Sequence, residues 1–165
     1  MFFSVLVWVQ MFATFEIANA QNLSNSSGLP LPRFVSLRAK TVNMRAGPGV
    51  RYPVEWVYKR KHMPMEVVSE FGLWRRVRDF QGTTGWMHQS MLSGKRTSTV
   101  LGQTRTLRDR PVSSSSAVAR LEPGTIGEIK KCEVSAGWCK LGFGEFVGWL
   151  RRVEIWGVYI SEKIE

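Results

Sequence analysis

The chain states one pattern twice. Val42-Asn43-Met44-Arg45-Ala46-Gly47-Pro48 opens a stretch that closes at Gly85-Trp86-Met87. Thr106-Leu107-Arg108-Asp109-Arg110-Pro111 opens a second that closes at Gly148-Trp149-Leu150. Arg45 to Arg108 and Trp86 to Trp149 both span 63 positions, while Trp74 to Trp138 spans 64, which places one inserted residue in the second copy. A period this long holds more than a single supersecondary unit, so each copy can bury a small core of its own. The repeat therefore calls for two small domains in tandem.

Inside each copy the residues spell short strands and turns. Phe34-Val35-Ser36-Leu37 and Val42-Asn43-Met44-Arg45 are extended pieces, and Gly47-Pro48-Gly49 is a turn. Met63, Met65 and Val67 alternate as on a strand with one buried face. Trp74 to Asp79 is a further strand, and Gln81-Gly82-Thr83 turns the chain back into Gly85-Trp86-Met87-His88. No window shows apolar residues at helical spacing. About five short strands in ~60 residues, separated by glycine turns, predict an all-β fold of two small barrels.

The N-terminus and the charge bear on location. Residues Phe2 to Phe15 are mostly apolar and end before Ala18-Asn19-Ala20, a small-x-small pattern of the kind signal peptidase accepts, although no Lys or Arg precedes the run. A spanning helix needs ~20 apolar residues, so the run is read as a cleaved signal peptide (1–20), with no transmembrane segment in the mature chain. Residues 21–33 are Asn, Ser, Gly and Pro rich and read as a flexible linker. The chain carries 23 Lys+Arg against 13 Asp+Glu, a formal +10, which calls for anionic neighbours. Export also fixes the meaning of Cys132 and Cys139, the only two cysteines. Six residues including Gly137 separate them, which suits two strands joined by a turn, and an oxidising compartment favours a structural bridge. Closing so short a ring constrains the unfolded chain by ~2.5 kcal/mol.

Four separated blocks in the first copy, Asn43-Met44-Arg45-Ala46-Gly47-Pro48-Gly49, Tyr52-Pro53-Val54, Trp74-Arg75-Arg76-Val77 and Gly85-Trp86-Met87, resemble the bacterial SH3-like domain. The second copy is a more distant match. It keeps Leu107-Arg108, Leu121-Glu122-Pro123-Gly124, Gly137-Trp138-Cys139 and Gly148-Trp149, but has Ser113-Ser114-Ser115-Ser116 where the first has Tyr52. The resemblance implies SH3-like domains over residues 34–97 and 98–160, with 161–165 as a tail. It also implies a protein of the bacterial envelope, in the periplasm or at the wall, that targets wall material.

Strand alternation then selects candidate contacts. In Trp74-Arg75-Arg76-Val77-Arg78, Trp74, Arg76 and Arg78 share one face and Arg75 and Val77 the other, so a core-facing Val77 places the tryptophan among cations. An aromatic beside guanidiniums can stack on a sugar ring or another planar group while the cations hold an anion. Tyr52 joins them because, by resemblance, its loop borders the groove where SH3-like domains bind, and Trp56 is a further candidate. The second copy has only Lys140 beside Trp138, so the first is expected to carry the stronger site. Trp86 and Trp149, each following a glycine, are expected in the core or at a barrel seam. Lys59-Arg60-Lys61-His62 reads as a solvated turn.

No paired-carboxylate, His-x-Glu-x-x-His, Cys-x-x-Cys or phosphate-loop motif is present, so the chain is expected to be non-catalytic, without cofactor or metal. The expected role is monomeric binding of a wall glycan or peptide, with peptidoglycan the leading ligand class, or of an envelope protein. Two rivals are a basic nucleic-acid-binding barrel, against which export argues, and a partner adaptor or accessory subunit of a wall hydrolase.

Overall fold

The computed structural model describes residues 26–133, 135 and 137–165. The signal-peptide reading of 1–20 and the first five linker residues, 21–25, lie outside them. The chain forms two seven-stranded antiparallel sheets in succession. The first contains β1 (Arg33–Leu37), β2 (Val42–Arg45), β3 (Val54–Tyr58), β4 (Pro64–Phe71), β5 (Trp74–Arg78), β6 (Thr84–His88) and β7 (Leu92–Ser93). The second contains β8 (Thr97–Val100), β9 (Arg105–Arg108), β10 (Ala117–Leu121), β11 (Ile126–Glu133), β12 (Trp138–Phe143), β13 (Phe146–Arg151) and β14 (Ile155–Trp156). Strand order is β3-β2-β6-β5-β4-β1-β7 in one and β10-β9-β13-β12-β11-β8-β14 in the other, the same path advanced by seven strands. The all-β, two-domain architecture expected from the repeat is the one observed.

Each sheet has its own core. Leu37, Val42, Met44, Met65, Val67, Val77 and Met87 fill the first, and Leu107, Ile129, Cys132, Cys139, Leu141 and Leu150 the second. No tryptophan belongs to either cluster. Gly85 and Gly148 explain why. Each points inward where a Cβ would lie 2.6 Å from its neighbours, Met44 Cγ in the first domain and the Arg108 carbonyl oxygen in the second. The next inward positions are Met87 and Leu150, both fully buried, so Trp86 and Trp149 turn outward. Both are half-buried, opposite Arg45 and Arg108 respectively, and so lie at the seam and not in the core.

Cys132 and Cys139 are directly opposed on β11 and β12 and form the expected disulfide, fully buried, with Cα atoms 4.2 Å apart. Cys132 also exchanges backbone hydrogen bonds with Ile164, so residues near the C-terminus extend this sheet. Burial along β4 departs from the one-sided pattern expected from its alternation, because Glu66 and Glu70 are buried as well as Met65 and Val67. Glu70 comes to the inner face with Arg75 after the irregularity between Val67 and Ser69, and the outer side around Glu66 is covered. Glu66 accepts a 2.9 Å hydrogen bond from the Tyr159 hydroxyl, and Phe34 on the neighbouring β1 packs edge-on against Trp156, with ring centroids 4.9 Å apart. Burial, reinforced by the Glu66 carboxylate, pushes the Tyr159 hydroxyl well above the usual tyrosine range. The two domains thus meet through β1 and β4 of one and β14 with the segment after it of the other.

Candidate ligand-binding grooves

The outer face of β2, β6 and β5 carries the candidate site. On β5, Arg75 and Val77 point inward, whereas Trp74, Arg76 and Arg78 point outward, as alternation requires. Cross-strand register sets Trp74 opposite His88, Arg76 opposite Trp86, and Trp86 opposite Arg45. The Trp74 and His88 rings meet edge to face at 5.4 Å. With Thr41, Asn43, Arg45, Val50 and Met91 they line a groove of about 240 Å³.

The groove wall is a folded loop held by Arg45. Its Nη1 donates to the carbonyl oxygens of Val50 (3.1 Å) and Tyr52 (2.7 Å). Gly47 is required there, since a Cβ would fall 2.5 Å from the Tyr52 ring that lies over it. Tyr52 therefore braces its own loop, with the Arg51 guanidinium 5.2 Å from its ring centroid, and does not line the groove.

The five sequence candidates separate accordingly. Trp74 lies in the groove. Arg76 is exposed one strand position further along the same face and makes no ion pair among the described residues. Arg78, at the far end of that face, is diverted to Glu66: its Nε (2.8 Å) and Nη2 (2.5 Å) both bond one carboxylate oxygen at the contact between the domains. Trp56 sits on the edge strand β3, 56% exposed, away from the groove. Arg45 and His88 were not foreseen. Alternation from Trp86 marks His88 as outward, but pairing it with Trp74 requires the β5–β6 register, and Arg45 requires the β2–β6 closure.

The second domain builds the same groove from the same register. Thr104, Thr106, Arg108, Ser113, Trp138, Arg151 and Glu154 stand where the first has Thr41, Asn43, Arg45, Val50, Trp74, His88 and Met91, again enclosing about 240 Å³. Gln103 and Arg105 complete the lining. The Arg151 guanidinium lies over the Trp138 ring, 5.4 Å from its centroid, and donates to Ser113 Oγ. Lys140, the cation singled out from sequence, is exposed beside Trp149, one strand position further along the same face, as Arg76 is in the first domain. Three arginines that sequence reading passed over line the groove instead. The repeat carried a signal for Arg108 alone, which is Arg45 advanced by 63; Arg105 and Arg151 stand where the first copy has Val42 and His88.

Among the described residues no group of three or more His, Cys, Asp or Glu is placed to hold a metal ion, and no helix is long and apolar enough to cross a membrane. The fold and its paired grooves define a tandem all-β protein with the same groove repeated in each domain. The bacterial SH3 domain model matches residues 38–94 and 102–157, and the chain belongs to that family. Such domains are typically non-catalytic binding modules, often associated with the envelope. Among solved structures the chain is similar to NlpC2 and NlpC1 from Trichomonas vaginalis, at 8% and 12% identity, each with a TM-score of 0.35. The matches cover 76% and 81% of this chain, and it spans about half (48%) of the length of each. No curated protein matches the chain.

Proposed function

We propose that this is an exported, non-catalytic binding module of the bacterial envelope that recognises peptidoglycan or another anionic wall component. The observation that carries the reading is the recurrence of one groove in both domains, each lined by a tryptophan and at least one arginine. A half-buried indole offers a flat apolar surface to a sugar ring, and the neighbouring cations favour carboxylates or other anions on the same polymer. In the first domain Trp74, His88 and Arg45 form the recess, and Arg76 extends its cationic side. Tyr52 supports the loop that bounds it. Arg78 and Trp56 have other settings and are assigned no direct contact in this groove.

Sedimentation of the purified mature protein with insoluble wall sacculi tests the reading. Binding should fall by about tenfold or more in the Trp74→Ala, Arg76→Ala double variant, since an aromatic contact and an exposed cation together are worth about 1–2 kcal/mol. Stronger retention on single-stranded nucleic acid than on sacculi, with no loss in the variant, would reject it.

A further inference from the structure

The second groove differs from the first mainly in charge. Val50, His88 and Met91 are replaced by Ser113, Arg151 and Glu154, and Arg105 is added, so three guanidiniums face one carboxylate. Two positive charges are left unmatched within one recess. The arginines are also held in place. Arg108 Nη1 donates to the Ser115 carbonyl at 2.8 Å, Arg105 Nε donates to the Leu101 carbonyl at 3.2 Å, and Arg151 Nη2 donates to Ser113 Oγ while its guanidinium lies over Trp138. Glu154 Oε1 stands 3.8 Å from Arg105 Nη1, too far to saturate it. The disulfide ties β11 to β12 next to Trp138, so the indole under Arg151 is fixed as well.

Fixed guanidiniums in excess, with hydroxyls from Thr106 and Ser113 among them, suit an anion that offers oxygens in several directions. A planar carboxylate offers two in one plane. A phosphoryl group is tetrahedral, and a phosphomonoester carries close to two negative charges near neutral pH. We propose that the groove of the second domain is a phosphoryl-binding site, with Arg105, Arg108 and Arg151 as its cationic contacts beside Trp138. This assignment does not depend on recognition of the wall, and the first groove, with Arg45 alone, lacks the charge for it.

The test is titration of the full mature chain with inorganic phosphate, following the six mature tryptophan indole signals by NMR at low, constant ionic strength. The Trp138 signal should move and saturate while the Trp74 signal stays still, and acetate should act at least tenfold more weakly. Arg151→Gln should weaken phosphate by about tenfold, and Arg151→Lys, which keeps the charge but loses the fork, by a smaller factor. Because Arg151 is exposed, both variants should keep the reference spectrum. Equal responses to acetate and phosphate, equal movement of Trp74 and Trp138, or full affinity in Arg151→Gln would each overturn the assignment. Cosedimentation with phosphatidylglycerol vesicles but not phosphatidylcholine vesicles, lost in Arg151→Gln, assigns the phosphoryl group to a lipid. Phosphate binding without cosedimentation assigns it to a soluble or polymer-borne ester.

Discussion

Replacing Glu70 by Gln should cost the first domain stability at neutral pH and almost none in strong acid. Glu70 lies on β4 opposite Arg75 of β5, its side chain fully buried. Arg33 Nη2 reaches its Oε1 at 2.5 Å and Arg75 Nε at 3.2 Å. The Ser27 N–H donates to Oε2 at 2.7 Å and the Ser27 hydroxyl to Oε1 at 2.8 Å. The carboxylate therefore clamps the segment that precedes β1 onto the β4–β5 hairpin. Burial alone would push its carboxyl up, but the hydrogen bonds from Arg33 and Ser27 and the Arg33 charge outweigh that, and it lies at about 2 in place of 4.5. A folded value below the unfolded one contributes stability above the unfolded pKa, lost as pH falls from about 4.5 toward 2. The displacement corresponds to about 3 kcal/mol at pH 7. Glutamine forfeits that share and leaves the Arg75 guanidinium buried without its carboxylate, so the measured cost should be about 3–5 kcal/mol. Hydrogen exchange of the β4 and β5 amides at pH 6 and pH 2.5 reads the difference locally, with β11 and β12 as the internal reference. The gap between wild type and Glu70→Gln should close as pH falls. If both proteins lose stability in parallel over that range, Glu70 is not the group that sets it.

Two further outcomes follow from the packing of the second domain. Reduction of Cys132–Cys139 should lower that domain's stability by about 2–3 kcal/mol and leave the first nearly unchanged, measured by urea unfolding with residue-resolved probes, because the closed ring lies wholly within one sheet. Gly148→Ala should destabilise by about 1–3 kcal/mol and more than Gly85→Ala, since its Cβ would meet the Arg108 carbonyl oxygen at 2.6 Å, whereas Gly85 first meets the flexible Met44 side chain. Thermal unfolding of the pair checks the order.

What could be read before the structure was whatever depends on local period. Alternation in Trp74-Arg75-Arg76-Val77-Arg78 sorted the two faces correctly because the neighbouring irregularity falls on β4, between Val67 and Ser69, and leaves β5 regular. The cysteine spacing located a hairpin for the same reason. Contacts set by register between distant strands were not legible. Glu66 is Arg78's cross-strand partner, so the ion pair that removes Arg78 from the binding face becomes visible only once β4 and β5 are aligned. Tyr159 reaches Glu66 across 93 residues, and no local pattern announces that contact. Trp86 and Trp149 were expected in the core or at a seam, and only the strand pairing with Arg45 and Arg108 decides for the seam, where Gly85 and Gly148 take the inward positions.

The repeat also explains why the two grooves need not do the same work. Positions that fix the frame recur: an arginine at 45 and 108, an inward glycine at 85 and 148, a tryptophan at 74 and 138. These set the strand junction and one wall of the recess, so changing them alters its shape. Positions 50, 88 and 91 and their counterparts 113, 151 and 154 only line it, and there every pair differs in polarity or charge. Substitution at a lining position leaves the core untouched and costs little stability, while it changes what the groove attracts. A chain that holds the frame and varies the lining has two recesses of equal volume and unequal electrostatics on one backbone plan. If both recesses engage one polymer that presents rings and anions, as proposed, their joint effect is avidity, with each domain raising the effective concentration seen by the other.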